Sequence, residues 1–223
     1  MIDAICNIRN IYITLRMKIE LLTLKIALLS SICLINMGCG NGNSPRADYS
    51  ELLLRLEEGD LLFRKGTGVV GHVVTSVDNR GEFSHVGIVV RRGDEWQVIH
   101  AVPHEPDFEG DFDRVKIESV DSFLGRYPNA TIGHYRTTLA SEQVAIAVLN
   151  ATRLCNENIP FDHDYDLSDT THLYCTEFVE YVYSLAGISL SEGRRTELSF
   201  PALSGSYIMP SDLTESSYLK PIY

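Results

Sequence analysis

The sequence predicts an α+β fold in which helices flank a small antiparallel sheet. Three observations carry this reading. Two β-rich runs, 86–92 and 96–102, surround Gly93-Asp94, a strong two-residue hairpin signal. Two later segments, 141–155 and 175–186, carry apolar residues at helical spacing. Further β-rich segments at 115–117 and 132–136 supply more strands for the sheet.

Taken in order, Ser50 is placed to cap a short helix over 51–58, closed by Gly59. Asp60-Leu61-Leu62-Phe63-Arg64 reads as the first strand. Gly66, Gly68 and Gly71 make the next segment loop-like, without the Gly-Lys-Ser/Thr ending that a phosphate-binding loop requires. After the hairpin, 115–117 and 132–136 read as further strands. Ser141 opens a helix to Cys155, with Val144, Val148, Ala151 and Cys155 on one stripe. The last helix starts at Cys175 and stops at Gly187, with Phe178, Val182 and Leu185 inward. An irregular tail containing Met209-Pro210-Ser211-Asp212-Leu213 follows. There is no internal repeat.

A chain of 223 residues with 44% hydrophobic content can bury one sizeable core. Its net charge of −11 argues against a nucleic-acid surface and against attraction to anionic lipid. The first 38 residues read as a signal peptide rather than as part of the fold. Lys25 leads into Ile26-Ala27-Leu28-Leu29-Ser30-Ser31-Ile32-Cys33-Leu34-Ile35, a run of h-region length that is too short for a bilayer span. It ends in Gly38-Cys39-Gly40, a lipobox-like site at which Cys39 becomes the acylated N-terminus, although Asn36 stands where Leu is usual. Residues 1–16 add nothing to a signal peptide, which makes Met17 the expected start. Residues 39–48 then form a lipidated cysteine and a Gly/Asn/Ser/Pro linker, and 49–223 the folded domain. The protein is expected to be exported and held at the cell envelope by a lipid anchor.

With Cys39 acylated, Cys155 and Cys175 are the thiols left in an oxidising setting. A disulfide between them is the rival structural reading, weakly grounded on two cysteines. Cys175 lies in Tyr174-Cys175-Thr176-Glu177-Phe178, where a polar loop becomes an apolar helix. A thiol at a helix N-terminus meets unpaired N–H groups and the positive end of the helix dipole, both of which favour thiolate. Ninety residues earlier, Phe83-Ser84-His85-Val86-Gly87-Ile88-Val89-Val90 places a histidine at the mouth of a strand. If the hairpin turn has two residues, paired positions sum to a constant, and His85 and His100 fall on one face as diagonal neighbours. A three-residue turn would put His100 on the opposite face. The expected chemistry is attack by Cys175, proton transfer by His85 and orientation of His85 by His100. The backbone N–H of Cys175 is the expected oxyanion donor.

These segments resemble the circularly permuted branch of the papain-like NlpC-type superfamily, the YiiX-like group, and more distantly lecithin retinol acyltransferase-like proteins. The resemblance runs through Glu58-Gly59-Asp60-Leu61-Leu62-Phe63, Ser84-His85-Val86-Gly87-Ile88-Val89, Val98-Ile99-His100-Ala101, Ile159-Pro160-Phe161-Asp162, Tyr174-Cys175-Thr176-Glu177-Phe178-Val179 and Met209-Pro210-Ser211-Asp212-Leu213. In that branch the histidine precedes the cysteine, as here. The resemblance implies a permuted papain-like fold, Cys175 as nucleophile, His85 as base and His100 at the third polar position. It further implies a hydrolase of amide or ester bonds, acting on murein-derived peptides or on acylated, lipid-like substrates, with no cofactor. A non-catalytic lipid- or peptide-binding lipoprotein and an acyltransferase using the same three residues are the alternatives.

No metal is expected. The acidic loops around Asp107, Glu109, Asp111 and Asp113 and around Asp162, Asp164, Asp166 and Asp169 lack the calcium-hand pattern. His72, His104, His134, His163 and His172 show no zinc spacing.

Overall fold

The computed structural model describes residues 48–66, 69–78, 80–127, 129–199 and 204–222. The signal segment, Met17, Cys39 and Gly68 lie outside the described residues. The elements in chain order are α1 (Ser50–Leu53), β1 (Leu61–Arg64), α2 (Val69–Val77), β2 (His85–Arg92), β3 (Glu95–Val102), β4 (Arg114–Ser119), α3 (Val120–Gly125), β5 (Ile132–Thr137), α4 (Ser141–Asn156), α5 (Cys175–Ser184), β6 (Thr196–Leu198), β7 (Gly205–Tyr207), α6 (Pro210–Thr214) and β8 (Leu219–Pro221). Six strands form one antiparallel sheet in the order β4-β3-β2-β1-β5-β8, and β6 and β7 pair separately.

Both faces of the sheet are covered, so its central strands are apolar on both sides. Val86, Ile88, Val90, Ile99 and Ala101 pack against α4 and α5 through Ala147, Ala151, Phe178, Val179 and Val182. Leu62, Val89 and Val98 face the other way, against Leu52, Leu56, Val120, Phe123 and Leu124. Each fully buried side chain of this size contributes about 1.5–3 kcal/mol.

The hairpin forms as the sequence predicts. Ile88 pairs with Ile99 and Arg92 with Glu95, which leaves Gly93-Asp94 as the two-residue turn. Gly93 takes a φ of 62°, the left-handed conformation such a turn demands. Gly87 is needed for a different reason: a Cβ there would lie 2.4 Å from Val98 Cγ1 and 3.0 Å from His100 Cβ.

Several expectations are corrected. The helix expected over 51–58 ends at Leu53, because the Asp60 carboxylate accepts from the Glu57 N–H at 2.9 Å and turns the chain. Ser50 makes no side-chain cap bond; its own N–H donates to Asp48 at 2.9 Å. The glycine-rich segment after β1 contains a helix, α2, built on the spacing of Val69, Val70, Val73, Val74 and Val77. On α4 the buried stripe is Ala147, Ala151, Leu154 and Cys155, with Val148 at its margin. Leu185 is exposed, since α5 ends one residue before it. The tail is ordered: Pro210 starts α6 and β8 joins the sheet beside β5. Cys155 and Cys175 are both free thiols, so the disulfide is absent.

Gly87→Ala is expected to destabilise the fold by about 1–3 kcal/mol through overpacking against Val98 and His100. Urea unfolding monitored by circular dichroism measures this.

Candidate active site

Cys175 is the first residue of α5. Tyr174 before it is extended, at φ −89° and ψ 173°, and its N–H donates to Glu177 in the first turn at 3.3 Å. His85 opens β2 and His100 lies within β3. The two-residue turn sets these histidines on one face, and His85 Nε2 lies 2.8 Å from His100 Nδ1. The contact commits Nε2, so Nδ1 is the His85 nitrogen left for other work. Phe123 packs against both rings, at centroid distances of 5.7 Å from His85 and 5.1 Å from His100.

Cys175 and His85 line the same cavity of about 250 Å³. Its walls are Val73, Val74 and Val77 of α2, together with Phe161, Tyr165 and Met209 among others, and among the described residues no acidic or basic side chain other than His85 lines it. Ser84 and His85 also border a second cleft of about 370 Å³, lined by Arg64, His104, Glu105 and Tyr127. His85 therefore stands between an apolar chamber and a polar one.

Behind the histidines lies a charged group that the sequence reading missed. His100 Nε2 is 3.1 Å from Glu118 Oε1, close but without the alignment of a straight hydrogen bond. Arg126 reaches Glu118 Oε2 at 2.9 Å and Glu105 Oε2 at 2.8 Å. Arg64, almost fully buried, donates to Glu105 at 2.6 Å and to the Phe123 carbonyl at 2.6 Å. Four buried or half-buried charges thus balance one another. Burial favours the neutral acid for Glu118, but its contacts with His100 and Arg126 outweigh that and lower its pKa to about 2. The pairing that makes Glu118 a diagonal neighbour of His100, Val98 with Glu118 and His100 with Lys116 across β3 and β4, is set by the fold and has no signal in the sequence.

Burial governs the state of the reactive groups. It lowers His85 well below the ordinary histidine range, and the nearby Arg64 cation adds to the effect. His100 is lowered too, chiefly by burial, which exceeds the opposing pull of Glu118. Cys175 is only partly shielded from solvent, through the cavity, yet desolvation pushes its thiol up to about 11. The N–H groups of Val86, Thr176 and Cys175 act in the other direction and do not win. This corrects the expectation of a resting thiolate: desolvation exceeds the helix N-terminus, and the pair rests as thiol and neutral imidazole.

The sequence model of the permuted papain-like amidase enzymes of the YaeF/YiiX, C92 family matches residues 55–201, and the chain belongs to that family. It is accordingly a papain-like cysteine amidase or peptidase. Among solved structures, a metalloprotein, yiiX from Escherichia coli O157:H7, is similar at a TM-score of 0.62 and 19% identity, over 75% of this chain and 96% of that one. That likeness shows the permuted papain-like α+β fold. No curated protein matches the chain.

The solved neighbour is a metalloprotein, and a cluster of possible metal ligands is present here as well. His100, Glu105 and Glu118 each offer a ligand atom within 4.8 Å of the others, and His100 Nε2, Glu105 Oε2 and Glu118 Oε1 lack well-aligned hydrogen bonds. The metal search in the sequence, confined to acidic loops and the other histidines, passed over this trio. The fit is nonetheless poor. Both carboxylates already face Arg64 and Arg126, and a divalent cation would sit against two fixed positive charges.

The neutral pair sets the pH dependence. His85 must be unprotonated to accept a proton, and its lowered pKa keeps it so below pH 6.5. The thiol stays protonated to about 11. The kcat/KM profile is therefore expected to be flat from about pH 6.5 to 9 and to fall only on the acid side of 6.5. An acid limb at or above pH 6.5 contradicts the assignment.

Proposed function

We propose that this chain hydrolyses amides or esters that carry an apolar acyl group, through a thioester on Cys175, and that Cys39 tethers it to the cell envelope. The observation that carries the catalytic reading is the shared cavity: Cys175 at a helix N-terminus and His85, backed by His100 at 2.8 Å, open on one apolar space. As Sγ bonds to the substrate carbonyl carbon, its proton passes to His85 Nδ1. The carbonyl oxygen gains the negative charge, which the Cys175 N–H stabilises. His85 then returns the proton to the leaving nitrogen or oxygen as that bond breaks. Water, deprotonated by His85, attacks the thioester; the C–S bond breaks, the acid leaves, and His85 returns the proton to Sγ.

The uncharged walls of the cavity support an acyl chain there rather than a murein peptide, whose carboxylates would be buried unpaired. The polar cleft on the other side of His85 supports a polar leaving group. The apolar run ending in Gly38-Cys39 supports export and lipidation.

Cys175→Ala is expected to abolish hydrolysis of a medium-chain acyl amide or ester and to leave the circular dichroism spectrum unchanged. His85→Ala is expected to cost about 10³-fold, and the double variant little more, because the groups act as one unit. Mass spectrometry of acid-quenched enzyme should show the acyl group on Cys175. Faster cleavage of a charged murein peptide would overturn the substrate assignment, and transfer of the acyl group to an acceptor other than water would reveal a transferase. For the tether, mass mapping of the native protein is expected to find a diacylglyceryl group on Cys39, with no peptide from residues 1–38.

A further inference from the structure

We propose that Glu118 is a positioning residue which, acting through His100, fixes the tautomer of His85 that leaves Nδ1 free to take the Cys175 proton. The inference deepens the thiol-hydrolase reading and rests on it.

A carboxylate has no proton to give, and its charge 3.1 Å from His100 Nε2 favours the tautomer with the proton on that nitrogen, although the contact is not aligned as a straight hydrogen bond. A neutral imidazole carries one proton. His100 Nδ1 is then bare and accepts, and the donor facing it among the described residues, at 2.8 Å, is His85 Nε2. His85 is neutral as well, so its Nδ1 holds a lone pair. Each step follows from the one before, and a single acceptor at the far end determines the state of the nitrogen at the near end. With the chain reversed, His85 Nδ1 would carry the proton and could not serve as base.

The surroundings hold this direction. Arg126 contacts the other oxygen of Glu118 at 2.9 Å, and Arg64 Nη1 lies 3.9 Å from Oε1. Both keep the group a carboxylate and neither can accept a proton from His100. Phe123 packs on both rings, which opposes a flip. Lowering of the Glu118 pKa to about 2 agrees with an acceptor across the working pH range.

Glu118→Gln tests this, because Arg126 should bind the new amide oxygen and turn its NH2 toward His100 Nε2, reversing the chain. Nitrogen-15 NMR of the wild-type protein is expected to show His85 with an unprotonated Nδ1 and a protonated Nε2. In Glu118→Gln those assignments should exchange. Its kcat should fall by at least about 10²-fold with KM nearly unchanged, and Glu118→Asp should restore much of the rate. A protonated Nδ1 in wild-type His85 overturns the proposal, as does a Glu118→Gln enzyme with wild-type kcat. So does stoichiometric zinc on His100 Nε2, found by elemental analysis and NMR, since a metal-bound nitrogen carries no proton. If Glu118→Gln fails to fold, the wild-type spectrum alone decides. Activity in Cys175→Ala would defeat the hydrolase reading while leaving the tautomers as assigned. An inactive Cys175→Ala beside a fully active Glu118→Gln would defeat only the role of Glu118.

Discussion

Two arginines and two glutamates neutralise one another directly behind the paired histidines, and the site depends on that balance. Arg64 is among the largest fully buried side chains of the protein, and an unpaired guanidinium at such depth would cost several kcal/mol. Glu105 satisfies it, Arg126 satisfies Glu105, and Glu118 completes the set. The group lies beside Phe123, whose ring lies under the Arg64 guanidinium at 4.4 Å and also packs against His85 and His100. A change in any member disturbs the charge balance and the packing together.

The same burial explains why the thiol and imidazole rest uncharged. A helix N-terminus favours an anion, and a solvated cysteine placed there would ionise readily. Here Tyr165, Tyr174 and Ile208 are among the residues that crowd the cavity around the sulfur, and removal of water outweighs the dipole. Glu177 in the first helical turn adds no full negative charge at neutral pH, because burial and the neighbouring aspartates raise it to about 8. Ionisation is thereby deferred to the moment when a carbonyl carbon is in place to receive the electrons.

What the sequence discloses divides along physical lines. The position of Cys175 at a helix start and the sharing of a face by His85 and His100 are local matters, fixed by amphipathic spacing and by an even-count turn. Both were legible. Glu118 was not, since the chain between β3 and β4 is long and leaves the register of those strands open until the fold closes. Arg64 was read only as the end of a strand, because nothing nearby in sequence reveals its partners 41 and 59 residues away. Helix α2 is masked in the sequence because its neighbouring glycines signal a loop more strongly than the valine spacing signals a helix. The three-residue strand β8 carries no period at all and exists only because β5 offers it an edge.

The order of elements also governs how the enzyme comes into being on the ribosome. The hairpin bearing both histidines is synthesised some 75 residues before Cys175, so the histidine pair is made first. Cys175 then arrives on a helix whose apolar face already has a sheet to dock on. Sulfur and imidazole share one chamber only once that helix has docked.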